Sequence, residues 1–119
     1  KGCFVQFFGR ETYTPLGASR LAADTGAAVV PMAMWRIETG KYLFEILPEM
    51  EAIKTDNPEH DLITNTYAQS LVIENFIRKN PTQWIWMHRR WQTTPERLAQ
   101  HLQWLEWKQQ QQKLNINKK

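Results

Sequence analysis

Between Phe4 and Trp35 the chain reads FVQFFGRETYTPLGASRLAADTGAAVVPMAMW, and this succession limits the fold more than any other part of it. An apolar run, a glycine, a polar loop, a proline-initiated helix, a glycine stop and a second apolar run fit into about thirty residues, the length of one β-α-β unit. Cys3 to Phe8, CFVQFF, has Gln6 as its one polar residue, which predicts a strand buried on both faces. Gly9 ends it, and Arg10 to Thr14 read as a polar loop. Thr14-Pro15 reads as N-cap and first helical position, because proline lacks the N–H that would be unpaired there. Gly17 falls in the first turn, where the missing side chain admits close approach to the backbone. The helix continues through Leu21 and Ala22 until Thr25-Gly26 stops it. Ala27 to Arg36 is almost wholly apolar, as a central parallel strand should be.

Glu38 to Lys41 forms a turn, Tyr42 to Leu47 returns as an antiparallel strand, and Pro48 closes it. A polar connection over Glu49–His60 leads into a long helix opened by Asn57-Pro58 and running to about Lys79. Ile63, Tyr67 and Leu71 fall four apart with Ile73 and Ile77 beside them, giving that helix an apolar stripe. Asn80-Pro81 breaks it, and Pro81 to Trp91 then holds three tryptophans and three potential cations, His88, Arg89 and Arg90. Thr94-Pro95-Glu96 caps a last helix whose Leu98, Leu102 and Leu105 share a face, with Trp104 and Trp107 away from it. Gln109–Gln112 and the Lys-ended tail carry no periodicity and are expected to fray. The fold class is α/β, a mixed β-sheet flanked by helices, to which this chain supplies three strands. Residues 1–93 carry that unit and 94–119 a C-terminal helix with a Gln/Lys-rich tail.

A chain of 119 residues suits one domain, and 42% apolar content excludes a disordered or fibrous class. The net charge of +3 fits a phosphate-rich or anionic-membrane partner and fits an indifferent soluble protein equally. The single cysteine, Cys3, allows no internal disulfide and no thiolate cluster, suits a reducing compartment, and reads as a small buried strand residue. The longest apolar run, Ala27 to Trp35, is about half the roughly 18 residues of a membrane span and contains Pro31. A strand beginning two residues after Lys1 suggests a piece of a longer protein, and nothing resembles a signal peptide.

Three places could carry chemistry. Arg10 and Glu11, at the carboxyl end of a strand and just before a helix N-terminus, could bind an anion by side-chain charge and backbone N–H groups, or be a solvated turn. His88-Arg89-Arg90 could grip phosphate or carboxylate, Arg through paired hydrogen bonds and His as a further donor. Their cations could equally stack on Trp84, Trp86 or Trp91. His101 and Glu106 match a His-(four residues)-Glu spacing that could pair a general base with its orienting carboxylate. Positions five apart on a continuous helix point about 140° away from each other, which argues against a dyad. His60 and His88 have no acidic residue at that offset. No metal-ligand spacing, nucleophile elbow or phosphate-cradling glycine loop is present, so neither metal nor cofactor is expected.

Three segments taken together resemble the C-terminal part of the bacterial lipid A biosynthesis lauroyl/myristoyl acyltransferases, within the lysophospholipid acyltransferase-like superfamily. They are FVQFFGRETYTPLGASRLAADTGAAVVPM from Phe4 to Met32, YLFEILPEME from Tyr42 to Glu51 and NPTQWIWMHRRW from Asn80 to Trp91, in the family's order and spacing. The resemblance implies a partial acyltransferase fold, with residues 1–93 as the C-terminal part of that domain. It implies an enzyme at the cytoplasmic face of the cell inner membrane that moves a fatty acyl chain from acyl carrier protein to a hydroxyl of a lipid A precursor in lipopolysaccharide biosynthesis. In such enzymes the His of a His-(four residues)-Asp/Glu motif deprotonates the acceptor hydroxyl, and nearby donors stabilise the oxyanion. That motif and the membrane-anchoring helix lie before the point matching Lys1, so no catalytic residue is assigned here and this piece alone is expected to be inactive.

By the same resemblance, Arg10 and Glu11 match the loop facing the phosphorylated acceptor, and Thr14 and Gly17 the turn beside it. Val29-Val30-Pro31 matches a strand lining the active-site region. His88, Arg89 and Arg90 match the C-terminal signature, where structure and phosphate contact are both arguable. A different class of reading is a non-catalytic peripheral membrane or lipid-binding module that sets its Trp/Arg surface at the headgroup level. Nucleic acid is not an expected partner, because the charge is small and no recognition motif occurs. With an apolar sheet edge and face left bare, the isolated chain is expected to associate.

Overall fold

The computed structural model describes residues 2–116. In chain order these form β1 (Gly2–Phe7), β2 (Arg10–Pro15), α1 (Gly17–Thr25), β3 (Met32–Glu38), β4 (Lys41–Ile46), α2 (Pro58–Lys79), a 3₁₀ turn over Pro81–Gln83, and α3 (Pro95–Ile116). β1 pairs with β2 and β3 with β4, both antiparallel, as two separate two-stranded sheets.

The first hairpin corrects the reading of Arg10–Thr14 as a loop. Phe7 and Arg10 face each other across the ladder, leaving Phe8-Gly9 as a two-residue connection. Both residues have positive φ, 52° and 70°, the signature of a type I′ turn whose twist suits a hairpin. Thr12, Tyr13 and Thr14 then continue as strand, in keeping with their β-branched and aromatic character. β1 is not buried on both faces either. Val5 and Phe7 point inward at 5% and 0% exposure, with Thr12 and Thr14 beside them, while Gln6 is exposed. On the outer face Phe4 and Tyr13 pack with ring centroids 5.3 Å apart.

Pro15 ends β2 instead of opening the helix, so α1 starts two residues later than expected, from Leu16 and without a side-chain cap. Its end is as expected: Gly26 is left-handed at φ 72° and its N–H donates to the Ala22 carbonyl. The second apolar run becomes regular strand only from Met32, after Pro31, which has no N–H to give a ladder. It pairs with β4 and not with β1. The Leu47 N–H to Pro31 carbonyl bond (3.0 Å) and the Met50 N–H to Val29 carbonyl bond (2.9 Å) extend that pairing irregularly.

α2 begins where Asn57-Pro58 predicts, with the Asn57 side chain accepting the His60 N–H. Glu59 and Asp61 sit in its first turn and Arg78 and Lys79 in its last, each favourable to the helix dipole. The buried face differs from the expected stripe. Leu62, Thr66, Ser70, Glu74, Phe76 and Ile77 are buried, whereas Ile63, Tyr67, Leu71 and Ile73 are exposed. The small Thr66 and Ser70 let neighbours come close, and the Ser19 hydroxyl of α1 hydrogen-bonds that of Thr66 at 2.7 Å.

The β3–β4 hairpin rests on the end of α2. Trp35 packs edge-on against Phe76 (6.1 Å between centroids) and donates its indole N–H to Glu45 at 3.0 Å. Glu45 also pairs with Lys79. The Gln83 side chain accepts the Arg36 N–H (2.9 Å) and donates to the Arg36 carbonyl (3.1 Å), occupying the β3 edge as a strand residue would. α3 is capped by Thr94, whose hydroxyl accepts the Arg97 N–H at 3.3 Å. It continues through Gln109–Gln112, the segment expected to fray, while residues 117–119 of the tail lie outside the described residues. Leu102, Trp104 and Trp107 on α3 are exposed. The radius of gyration, 18.8 Å, exceeds the roughly 13–14 Å of a compact chain of this length.

Candidate functional site

The tryptophan-rich segment after the 3₁₀ turn folds as a run of tight turns: the His88 N–H meets the Ile85 carbonyl at 3.2 Å, Arg90 meets His88 at 2.8 Å and Gln92 meets Arg89 at 3.1 Å. This brings Arg90 and Trp91 against the first hairpin, more than seventy residues back in the chain. The buried Thr12 hydroxyl donates to the Arg90 carbonyl at 2.5 Å. Arg90 Nη2 donates to the Thr14 hydroxyl at 3.1 Å, and the Trp91 indole N–H donates to the Phe7 carbonyl at 3.3 Å. The Arg90 guanidinium also lies over the Phe7 ring, 4.9 Å from its centroid.

Beside this clasp opens a cleft of about 280 Å³ lined by Phe7, Thr14, Ser70, Trp84, His88 and Arg90 among others. Arg90 is half-buried, and burial pulls its guanidinium down from its ordinary value. Among the described residues no carboxylate pairs with it. A guanidinium in low dielectric with donors to spare favours an anion, which restores what desolvation took away. His88 is exposed at the rim. Thr14, His88 and Arg90, chosen from two distant stretches, are thus brought together.

The other chosen residues lie differently. Arg10 and Glu11 project to opposite faces of the hairpin, Arg10 across from Phe7 and Glu11 across from Gln6. The Arg10 guanidinium lies 5.5 Å from the Trp91 ring centroid, so the tryptophan stacking left open as one of two alternatives for residues 88–90 is made at Trp91 by Arg10, while Arg90 lies over Phe7. β2 separates Arg10 from the N-terminus of α1 by about 17 Å, taking roughly 3.4 Å per residue. The two do not form one anion site, because the Phe8-Gly9 turn makes a strand of what read as a loop. Gly17 faces open space, and among the described residues nothing lies within 4 Å of where a Cβ would stand. Arg89 is exposed. His101 stacks on Trp104 with centroids 5.8 Å apart, and among the described residues no hydrogen bond or ion pair joins it to Glu106. A larger cleft of about 740 Å³ lies between α1, residues 49–55 and the start of α2. Of its polar groups, Asp61 is paired with Thr55 and Asn65 with the Ile53 backbone, and Thr55 accordingly holds the Asp61 carboxyl below its ordinary range. Among the described residues no three His, Cys, Asp or Glu side chains gather as metal ligands.

The family described as bacterial lipid A biosynthesis acyltransferase matches residues 1–93. The chain belongs to that family. It is 36% identical over 85 residues to a lipid A biosynthesis acyltransferase of Haemophilus influenzae, covering 71% of this chain and 25% of that protein. It is 35% identical over 95 residues to the lipid A biosynthesis lauroyltransferase of Escherichia coli, covering 78% and 30%. A phosphatidylinositol mannoside acyltransferase of Mycobacterium tuberculosis is 29% identical over 91 residues, covering 76% and 27%. The chain therefore spans about a quarter to three-tenths of these relatives' lengths. No solved structure matches. Among the described residues of this acyltransferase-family chain, no helix is long and apolar enough to cross a membrane.

Two residues outside the cleft, which brace the first hairpin beside it, are not marked for that role by any local pattern. Glu74 of α2 is buried at 7% exposure and accepts the Phe8 N–H at 2.7 Å. Arg78, 3.6 Å from the Glu74 carboxylate, lies over the Phe8 ring at 4.8 Å. Their i,i+4 spacing is visible in the sequence as a helix-surface pair. Nothing local shows that a hairpin turn packs onto it.

Proposed function

We propose that this chain forms the acceptor-side portion of an acyltransferase that passes a fatty acyl chain from acyl carrier protein to a lipid A precursor at the cytoplasmic face of the inner membrane. The observation that carries the reading is the half-buried Arg90 guanidinium, held by Thr14 and Phe7 and, among the described residues, without a carboxylate partner, in a cleft with His88 at its rim. It suits a phosphate group of the acceptor. The pair that would deprotonate the acceptor hydroxyl lies outside these residues, since His101 and Glu106 do not meet. The partial acyltransferase fold is part of the same proposal: the two hairpins belong to one mixed sheet whose other elements cover the apolar faces exposed here. Exposure of Met32, Met34, Phe44 and Ile46 on one side of β3–β4 supports it.

The test is a chimera in which this chain replaces the matching segment of the E. coli lauroyltransferase. Transfer from acyl carrier protein to a lipid A precursor is expected, with kcat/KM for the acceptor falling at least about tenfold for Arg90→Ala. Arg90→Lys should fall in between, because lysine keeps the charge but loses the planar fork. A folded chimera without activity, or one indifferent to Arg90→Ala, overturns the reading. Binding of anionic vesicles without transfer would instead favour the lipid-binding module.

A further inference from the structure

The turn between β1 and β2 is chemically unusual. A type I′ turn asks for positive φ at both central positions and is ordinarily built from Asn-Gly or Gly-Gly. Here the first position is Phe8 at φ 52°, a bulky side chain in a region that L-residues other than Asn and Asp rarely occupy. The rest of the structure must supply what the residue type does not. Glu74 does so from α2, its buried carboxylate accepting the Phe8 N–H at 2.7 Å. Arg78 does so from one turn further on, its guanidinium over the Phe8 ring and 3.6 Å from Glu74. Phe7 at 4.9 Å and Trp86 at 6.4 Å close on the same ring.

From this geometry we infer that Glu74 and Arg78 are positioning residues that lock the Phe8-Gly9 turn and thereby fix where Arg10 is presented beside Trp91. The inference rests on the acyltransferase reading above, which sets the acceptor's phosphate at Arg90, and adds Arg10, on the hairpin face shared by Phe7 and Thr14, as a second cation toward that acceptor. Arg10 follows the turn directly and pairs with Phe7 across it, so a one-residue slip at the turn would move its side chain to the other side of the hairpin. A carboxylate is suited to the task because its bond to an N–H is charge-assisted. Its burial on a long helix makes it a fixed point. Arg78 offsets the charge from the open side.

The experiment uses the full-length protein and reads two quantities: hydrogen exchange of peptides covering residues 4–12, and KM and kcat for a lipid A precursor. Glu74→Ala should raise exchange in those peptides about tenfold or more. It should raise KM by a similar factor with kcat within about twofold, as expected for lost positioning of a binding group. Glu74→Gln keeps an acceptor oxygen and should lose about threefold in each. The decisive variant adds Phe8→Asn to Glu74→Ala. An asparagine before Gly9 favours the I′ turn by itself and should return exchange and KM to within about threefold of wild type. Unchanged exchange in Glu74→Ala overturns the inference, as does a failure of Phe8→Asn to rescue, or a KM that does not follow the exchange. If the wild-type protein transfers no acyl chain, the acyltransferase reading falls, and the lock is then decided by exchange and its rescue alone.

Discussion

Replacing Thr12 by valine removes one hydroxyl from the clasp that holds the Trp84–Gln92 segment to the first hairpin. Thr12 is wholly buried, and its hydroxyl donates to the Arg90 carbonyl at 2.5 Å. Valine has nearly the same shape and an equal liking for strands, so packing against Val5 across the ladder is retained. What is lost is a hydrogen bond worth about 1 kcal/mol net, together with part of the 1–3 kcal/mol cost of leaving a carbonyl without its partner. The sum is about 2 kcal/mol. Because the bond ties one segment to the hairpin, most of this should appear as local opening, a roughly tenfold to thirtyfold rise in hydrogen exchange over residues 84–92. Arg90→Thr14 bonding depends on the same carbonyl anchor, so the cleft should loosen with it. Thr12→Ser is the control: it lowers overall stability by about 1 kcal/mol for the missing methyl but keeps the donor, and exchange over 84–92 should stay near wild type. Equal loosening by serine and valine, or none by valine, would refute the assignment of the clasp to the hydroxyl.

Two other outcomes are expected. Lys79, and after it the Trp35 indole, hold the Glu45 carboxyl below its ordinary value of 4.5, so the contribution of Glu45 is fully present above that value and is lost as pH falls through the depressed one. Trp35 fluorescence should therefore report loosening of the β3–β4 hairpin from α2 in acid, and Glu45→Gln should show at neutral pH the signal that wild type reaches only in acid. The isolated chain should associate at micromolar concentration, because one face of β3–β4 carries Met32, Met34, Phe44 and Ile46 in the open; a monodisperse monomer by sedimentation would contradict that.

Local signals were legible where chemistry and neighbours agree. Asn57-Pro58 at the start of α2, Gly26 at the end of α1 and the Glu38–Lys41 turn are read directly from residue type, because each works through its own backbone. By residue type Arg10–Thr14 reads as a loop, because Phe8 is not a residue that advertises a left-handed turn. Its conformation depends on Glu74, 66 residues away, and no local pattern contains that. The site was half legible for a similar reason. Thr14 and Arg90 could each be chosen by type, but their contact is made by the Thr12 hydroxyl and the turns of residues 84–92.

α2 shows why periodicity identifies a helix more safely than it identifies the buried face. Thr66, Ser70 and Glu74 lie one position, about 100°, round the helix from the stripe that runs through Ile63, Tyr67 and Leu71. Along the middle of the helix it is the polar set that is covered, with Leu62 before it and Phe76 and Ile77 after it. Burying it is affordable only if every polar group is satisfied, and each is: Thr66 by Ser19, Ser70 by the Thr66 carbonyl, Glu74 by the Phe8 N–H. In return these residues, two of them small, bring α1 and the first hairpin close to the helix, and Glu74 reaches the turn. Of the apolar stripe Ile77 is buried, while Ile63, Tyr67, Leu71 and Ile73 stay exposed, Ile63 at 43% and Leu71 at 39%. Full burial of four such side chains would contribute several kcal/mol at roughly 1.5–3 kcal/mol each. A sequence that keeps both a satisfied polar face and an uncovered apolar one is what a helix packed on two sides requires. That is the position α2 holds under the proposal that these elements are part of a larger acyltransferase sheet.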